Sequence, residues 1–506
     1  MTQSSEPDLH FPDELGPADV LMLKGEHDPR TRTTTLSAIL LDRAPDFDVV
    51  VREFERISRE FIRLRQRVVN PILPLAASRW VVDPDFAIAH HVSHQVLSAP
   101  GDLRSLLTVC LHRLEAPMDL GRPLWEVVLV EGLVGQEGRA ALLLKAHHAI
   151  TDGIGGLQLL RSMYDFEPDA VLRPMPLQPI PDHLTEVDVL RRGMLRDLGQ
   201  ALPQARARSK WLLDKGRDLL REPAESLDRL KAQLTSAQRV LGDPPAAPSP
   251  LLRRRGLNRR LFATEFPLAL IKASAKRAGC SVNDAYLAGV GAGLRLYHEA
   301  KGLAVDEVSM AIPVNVRRDG DPAGGNRFAG ARIAVPIAEK DPALRMQVIR
   351  QRMRSAVDEP ALPIMDLIGP VMARLPTPAL EFMARSVSSI DIQASNVPGL
   401  PDAPYFAGSK VLKFYPFGPL PGVAMMIILY SQARQCYVGV HYDTDSFDEP
   451  ELLERCLEQG FDETLGGARE QRKPVVKSRR SAQPSPRPAQ RVRKQVSSRR
   501  SPRTGR

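Results

Sequence analysis

Two proline-rich breaks constrain the fold of this 506-residue chain more than any other feature. Pro168, Pro174, Pro176, Pro179 and Pro181 interrupt residues 168–183, and DPPAAPSP fills 243–250. Proline lacks the N–H that helices and sheet ladders use, so neither stretch can continue a regular element. Strand and helix patterns alternate on either side. Residues 33–42 (TTTLSAILLD) read as a strand, and Pro45-Asp46 then opens a helix with Val51, Phe54, Ile57, Phe61 and Leu64 on one face. Residues 102–116 have helical periodicity, and 124–133 and 139–146 read as strands around a glycine turn at Gly132 to Gly138. After the second break, helices are expected at 266–279 and 283–299, and strands at 307–313 and around 411–416, 423–430 and 436–442. This alternation predicts two mixed α/β domains, at 1–167 and 256–468. Between them 168–255 forms a connector that turns helical and charged from Glu186 to Leu241. Its stripes, Leu190, Met194, Leu198 and Leu202, then Leu227, Leu230 and Leu234, read as helix faces covering the domain seam, with a lipid-resting amphipathic helix as the alternative.

The charge narrows the function classes. Residues 471–506 hold thirteen Lys and Arg and no acid, and subtracting them from the overall +9 leaves the rest at −4. The basicity therefore belongs to a Ser-, Pro- and Arg-rich tail, 469–506, whose composition predicts disorder, and no nucleic-acid partner is expected for the body. Cys110, Cys280, Cys436 and Cys456 are far apart and form no CxxC pair, which suggests neither a zinc site nor a disulfide framework. The polar, acidic N-terminus does not read as a signal peptide, and no apolar run approaches the ~18–20 residues of a spanning helix. A cytoplasmic protein is expected, either soluble or peripheral on membranes or lipid inclusions.

The stretch His147-His148-Ala149-Ile150-Thr151-Asp152-Gly153 carries the chemistry. It follows an apolar strand and precedes a helix whose inner face is Leu157, Leu160 and Met163. A side chain in such a strand-to-helix loop is held rigidly yet reaches a cleft. A neutral imidazole, with an ordinary pKa of ~6.5, can take a proton from an alcohol near neutral pH. His148 is the candidate base, His147 a group that stabilises the loop, and Asp152 a structural carboxylate that pairs with an Arg or caps the helix. Gly153 allows close approach of backbone or substrate. The chain holds its own control, since His90-His91 is also tandem but has no Asp-Gly four residues on.

HHxxxDG resembles the active-site motif of the acyltransferase superfamily that includes chloramphenicol acetyltransferase and the condensation domains of peptide synthetases. Within it the chain is similar to the bacterial wax ester synthase/diacylglycerol acyltransferase family. Pro123-Leu124-Trp125 resembles its PLW segment, and Asn283-Asp284 its ND motif. Pro313-Val314-Asn315-Val316-Arg317 with Gly325-Asn326, Ser395-Asn396-Val397-Pro398-Gly399 and Tyr415-Pro416 resemble later blocks. Leu15-Gly16-Pro17-Ala18-Asp19 stands where the family usually reads LSPxD. The resemblance implies two chloramphenicol-acetyltransferase-like domains with a channel between them. It implies acyl-CoA as a substrate, diacylglycerol or a long-chain alcohol as acceptor, and no metal or bound cofactor. Asn283, Asp284 and Asn396 would then line the channel, although Asn283 and Asp284 read equally well as helix caps, and Trp125 alone reads as core. Two other readings stay open, a condensation-type enzyme using a carrier-protein thioester and a non-catalytic protein of lipid surfaces. No feature sets an oligomeric state.

Overall fold

The structure is a computed structural model that describes residues 11–135, 138–150, 153–168, 172–199, 244–315, 328–357 and 390–466, with 206 and 209. The first half opens with α1 (Pro17–Lys24), a 3-10 turn at Gly25–His27, and strand β1 (Thr34–Leu41). Helix α2 (Phe47–Glu60) follows, then a small hairpin of β2 (Gln66–Val69) and β3 (Arg79–Val82), and β4 (Val92–Val96). Next come α3 (Leu103–Glu115), β5 (Trp125–Glu131), β6 (Ala140–His147) and α4 (Gly153–Met163). Residues 172–183 carry no regular structure, and helix α5 covers 186–199.

The second half begins with β7 (Arg259–Pro267), α6 (Leu268–Arg277) and α7 (Val282–Ala300). It continues with β8 (Glu307–Asn315), β9 (Phe328–Pro336), α8 (Pro342–Val357) and β10 (Ile392–Pro398). Strands β11 (Tyr405–Phe406), β12 (Ser409–Phe417), β13 (Met425–Gln432) and β14 (Gln435–Asp443) lead into α9 (Pro450–Leu465).

These strands build two six-stranded mixed sheets, ordered β11-β12-β1-β6-β5-β4 and β7-β14-β13-β10-β8-β9. The alternation read from the chain has local causes. Asp46 caps α2 by accepting the N–H groups of Asp48 and Val49. Val50, Phe54 and Ile57 then recur at helical spacing and are buried, and Phe54 stacks on Trp125 at 6.1 Å. Burial of each such side chain stabilises by about 1.5–3 kcal/mol. In the second half α7 lies tightly along α9. A Cβ built on Gly460 would sit 2.2 Å from the backbone nitrogen of Gly293, so a side chain at Gly460 would push the helices apart.

The first sheet draws strands from both sides of residue 256. Strand β12, from the second half, pairs antiparallel with β1, setting Tyr415 opposite Ala38. It completes the first sheet and also packs on the second. The Phe414 ring stacks on Tyr430 at 4.1 Å, and Tyr437 donates its hydroxyl hydrogen to the Leu412 carbonyl at 2.8 Å. Edge pairing explains the placement, because β1 would otherwise leave one row of backbone groups unsatisfied.

The seam expectation for the connector also needs correction. In α5 the face toward the body is Val189, fully buried, and Gly193, seated against Ala76. Met194 and Leu198 are exposed, and Leu190 is only partly buried. Leu202, the stripe of Leu227, Leu230 and Leu234, and the tail 469–506 lie outside the described residues. Among the described residues, no helix is long and apolar enough to cross a membrane.

Candidate active site

Strand β6 (AALLLKAH) ends on His147, and pairing with β1 sets Thr34 opposite it. The chain then turns over 148–150 before α4, which starts at Gly153. Three backbone bonds pin this turn. His147 donates its N–H to the Leu124 carbonyl (3.0 Å), His148 to Thr33 (3.1 Å), and Ile150 to His147 (3.0 Å). Leu124 of the Pro-Leu-Trp segment therefore acts as a backbone anchor for the first histidine. Thr151 and Asp152 lie outside the described residues.

The His147 ring is buried and bonded at both nitrogens. Ala149 donates its backbone N–H to Nδ1 at 3.0 Å. A backbone N–H can only donate, so Nδ1 is the acceptor and the ring hydrogen sits on Nε2. Nε2 faces Glu26 Oε1 at 3.2 Å and Thr33 Oγ1 at 3.1 Å. Glu26 is itself buried, in the 3-10 turn after α1, and accepts the Thr33 N–H at 2.9 Å. Burial alone would raise the Glu26 carboxyl pKa. The hydrogen bonds from His147 and Thr33, with the nearby Arg32 charge, outweigh burial and hold it below the ordinary carboxylate range. The carboxylate thus sets the tautomer and orientation of the first histidine. His148 is partly exposed.

Glu26 and Thr33 were not legible as site residues. Thr33 is 114 residues from His147 in sequence, and no spacing links them. A lone acid before a Thr run carries no signal of its own.

Trp125 lies in the core and donates its indole N–H to the Leu64 carbonyl at 2.7 Å, while Pro123 is also buried. His91, from the other tandem pair, is buried between two aromatic faces. Phe86 stacks at 5.1 Å and Trp125 at 4.6 Å, and Nδ1 donates to the Trp125 carbonyl at 2.8 Å. His90 beside it is exposed.

In the second half, Asn396 on β10 donates a side-chain amide hydrogen to Asn283 Oδ1 at 3.4 Å, joining two of the sequence blocks. Asp284 closes a capping box at the start of α7. Its Oδ2 accepts from the N–H and the hydroxyl of Ser281, both at 2.8 Å, while Ser281 Oγ accepts the Asp284 N–H at 3.2 Å. Tyr415 and Pro416 sit on β12, where Tyr415 reaches Glu265 at 3.4 Å.

The comparisons with known proteins agree with this architecture. Residues 13–286 match the wax ester synthase/diacylglycerol acyltransferase catalytic domain, and 324–464 match the WS/DGAT C-terminal domain. A Mycobacterium tuberculosis protein, provisionally named a diacylglycerol O-acyltransferase, is 46% identical over 457 residues, covering 90% of this chain and 92% of its own. A second protein from that organism with the same provisional name is 31% identical over 71% of this chain and 78% of its own. The solved wax ester synthase/diacylglycerol acyltransferase from Marinobacter aquaeolei VT8 superposes with a TM-score of 0.58 at 23% identity, over 89% of this chain and 98% of that one. The first condensation domain of the CDA synthetase shares the fold at a TM-score of 0.53 and 16% identity, over 91% and 98% of the two chains. The chain therefore belongs to the wax ester synthase/diacylglycerol acyltransferase family and is an acyltransferase with two chloramphenicol-acetyltransferase-like halves.

Proposed function

We propose that the protein transfers an acyl group from acyl-CoA to the hydroxyl of diacylglycerol or of a long-chain alcohol, with His148 as general base. The observation that carries the assignment is the engagement of the other histidine. His147 accepts at Nδ1 and donates at Nε2 inside a buried network, so it holds the turn and is in no position to receive a substrate proton. His148, next to it and partly exposed, is the imidazole assigned to the substrate.

In this reading the acceptor hydroxyl gives its proton to His148 as its oxygen attacks the thioester carbonyl. The tetrahedral intermediate then collapses, the C–S bond breaks, and the imidazolium returns the proton to the departing CoA sulfur. No covalent enzyme intermediate is needed. Asp152 has a supporting structural role at the turn. Asn283 and Asn396 border the path of the acyl chain, and Asp284 steadies the helix end that carries Asn283. The acyl-CoA is a substrate, and no resident metal or cofactor takes part. Peripheral contact with a membrane or lipid inclusion is the setting in which such acceptors are met.

The test supplies purified protein with radiolabelled palmitoyl-CoA and either diacylglycerol or hexadecanol, beside His148→Ala. Labelled triacylglycerol or wax ester from the wild type, with loss in the variant, supports the reading. No ester with either acceptor sinks the substrate assignment, and undiminished product in His148→Ala sinks the base.

A further inference from the structure

The segment 25–33 holds both histidines of the turn. Glu26 and Thr33 grip the His147 ring, and the Thr33 carbonyl accepts the His148 N–H at 3.1 Å. The segment is wound on itself. The Thr31 hydroxyl donates to the Gly25 carbonyl at 2.7 Å, and the Thr31 N–H donates to Asp28 at 2.9 Å. Two guanidinium groups tie it to the rest of the protein. Arg32 donates to the Glu26 carbonyl at 3.3 Å and to the Glu115 carbonyl at 2.7 Å. Glu115 ends α3, where helix carbonyls lack intrahelical partners and cations are favoured. The other guanidinium comes from the second half. Arg259 donates from Nη2 to the Pro29 carbonyl at 2.8 Å.

The position of Arg259 follows from its strand. Side chains alternate across a strand. Leu261 and Ala263 pack into the core built on the first sheet, while Phe262 packs with the second core and Arg260 pairs with Glu451 and Glu454 of α9. Arg259 shares the face of Leu261. Its backbone is fixed by pairing with β14, opposite Asp443, and its side chain is only 8% exposed. Nε lies 3.6 Å from Glu115 Oε1, an ion-pair separation too long for a hydrogen bond, so the Pro29 carbonyl is the group that Arg259 grips. A charged donor on a carbonyl, out of water, makes one of the stronger hydrogen bonds. A residue kept only to balance Glu115 would need no bond to the segment.

We propose that Arg259 is a positioning residue for acyl transfer, through which the second half sets the segment that orients His147 and anchors the backbone of His148. This rests on the assignment of His148 as base above. Arg259 acts through Glu26 and Thr33, so its loss falls on turnover rather than on substrate binding. The two halves are then joined at the catalytic turn by a specific bond as well as by the shared sheet.

Kinetics and hydrogen exchange on the full chain test this. Arg259→Gln should lower kcat about 10–100-fold with KM for palmitoyl-CoA held. Should that variant melt early, Arg259→Lys, which keeps the charge but loses the planar fork, carries the same test. Arg260→Gln, one residue along the strand and on its other face, should turn over like the wild type. Equal losses at 259 and 260 would mean a loosened edge strand and overturn the assignment. In Glu26→Gln/Arg259→Gln the loss should be smaller than the product of the single losses, because the two act on one support. Full multiplication overturns it. The readout that needs no turnover is exchange of the Thr31 and Thr33 amides, which donate within the segment. Arg259→Gln should speed it at least about tenfold and leave β13 unchanged, and unaltered exchange overturns the assignment. A wild type that forms no ester sinks the proposed reaction and leaves exchange to decide on Arg259. Ester formed by Arg259→Gln at the wild-type rate sinks this inference alone.

Discussion

His91 and His147 are both buried histidines beside strand ends of one sheet, and each is half of a tandem pair. Their surroundings differ in kind. Aromatic faces hold His91 on both sides, with one backbone carbonyl at Nδ1. Polar groups hold His147, with a backbone donor at one nitrogen and a carboxylate and a hydroxyl at the other. The first arrangement makes the ring a piece of core. The second fixes orientation and tautomer at the mouth of a turn, which only matters if a neighbouring group must be placed accurately. The contrast teaches that a buried histidine's partners, more than its burial, separate packing from chemistry.

Substitutions at the two pairs should separate these settings. The largest effect is expected for His148→Ala, which should lower kcat/KM about 10²–10⁴-fold with little change in Tm. His90→Ala, in the corresponding pair, should leave turnover unaltered, and comparable losses in both would erase the distinction. His91→Ala comes next, but in stability. Removing a ring packed between Phe86 and Trp125 should cost about 2–4 kcal/mol, read from denaturant unfolding, with turnover per folded molecule preserved.

Glu26→Gln should act between these two modes. Glutamine keeps one acceptor oxygen but no charge, so kcat should fall about 10-fold with KM for palmitoyl-CoA held. Glu26→Ala should fall further. A KM effect alone would place Glu26 in substrate binding.

The two networks also predict separate acid sensitivities. Burial is the main cause that lowers the His91 pKa, only partly offset by its bond to Trp125. The folded protein then binds fewer protons there than the unfolded chain, and stability is lost as pH falls below about 6.5. The Glu26 carboxyl is also lowered, so its contribution is present above about 4.3 and disappears as pH falls further. Tm measured against pH should show the upper part of the decline flattened in His91→Phe and the lower part flattened in Glu26→Gln. Interchanged effects would reverse the assignment. The smallest change is expected far from both pairs, where Ser281→Ala removes a helix cap worth about 1 kcal/mol.

Much of the local structure is legible in the amino-acid sequence. Asp46 announced its helix because a carboxylate before an apolar period can accept orphan N–H groups, and it does so; in the structure Asp102 caps α3 in the same way. Strand β6 was marked by its apolar run, so the strand-to-turn setting of the histidines followed. Strands β2, β3, β4, β7, β9, β10 and β11 are absent from the strands expected of the sequence. Several are short or mixed in polarity, like QRVV and IQASNVP, and neighbours across the sheet rather than their own pattern make them strands. Asp284 could be read either as a channel residue or as a cap, and its carboxylate is bonded to Ser281. The connector stripe misled because helical period gives the angle between residues but not which angle faces the body.

The longer amphipathic helices, the apolar strands, the proline breaks and the HHxxxDG stretch can be read from the chain alone, because each depends on residues within a few positions of one another. Tertiary structure decided that β12 crosses into the first sheet, that Glu26 and Thr33 grip His147, and that α5 turns leucines outward. Those outcomes depend on backbone pairing and burial between segments far apart in the chain. Local periodicity and spacing carry no record of such encounters, so only the folded chain reveals which groups hold His147.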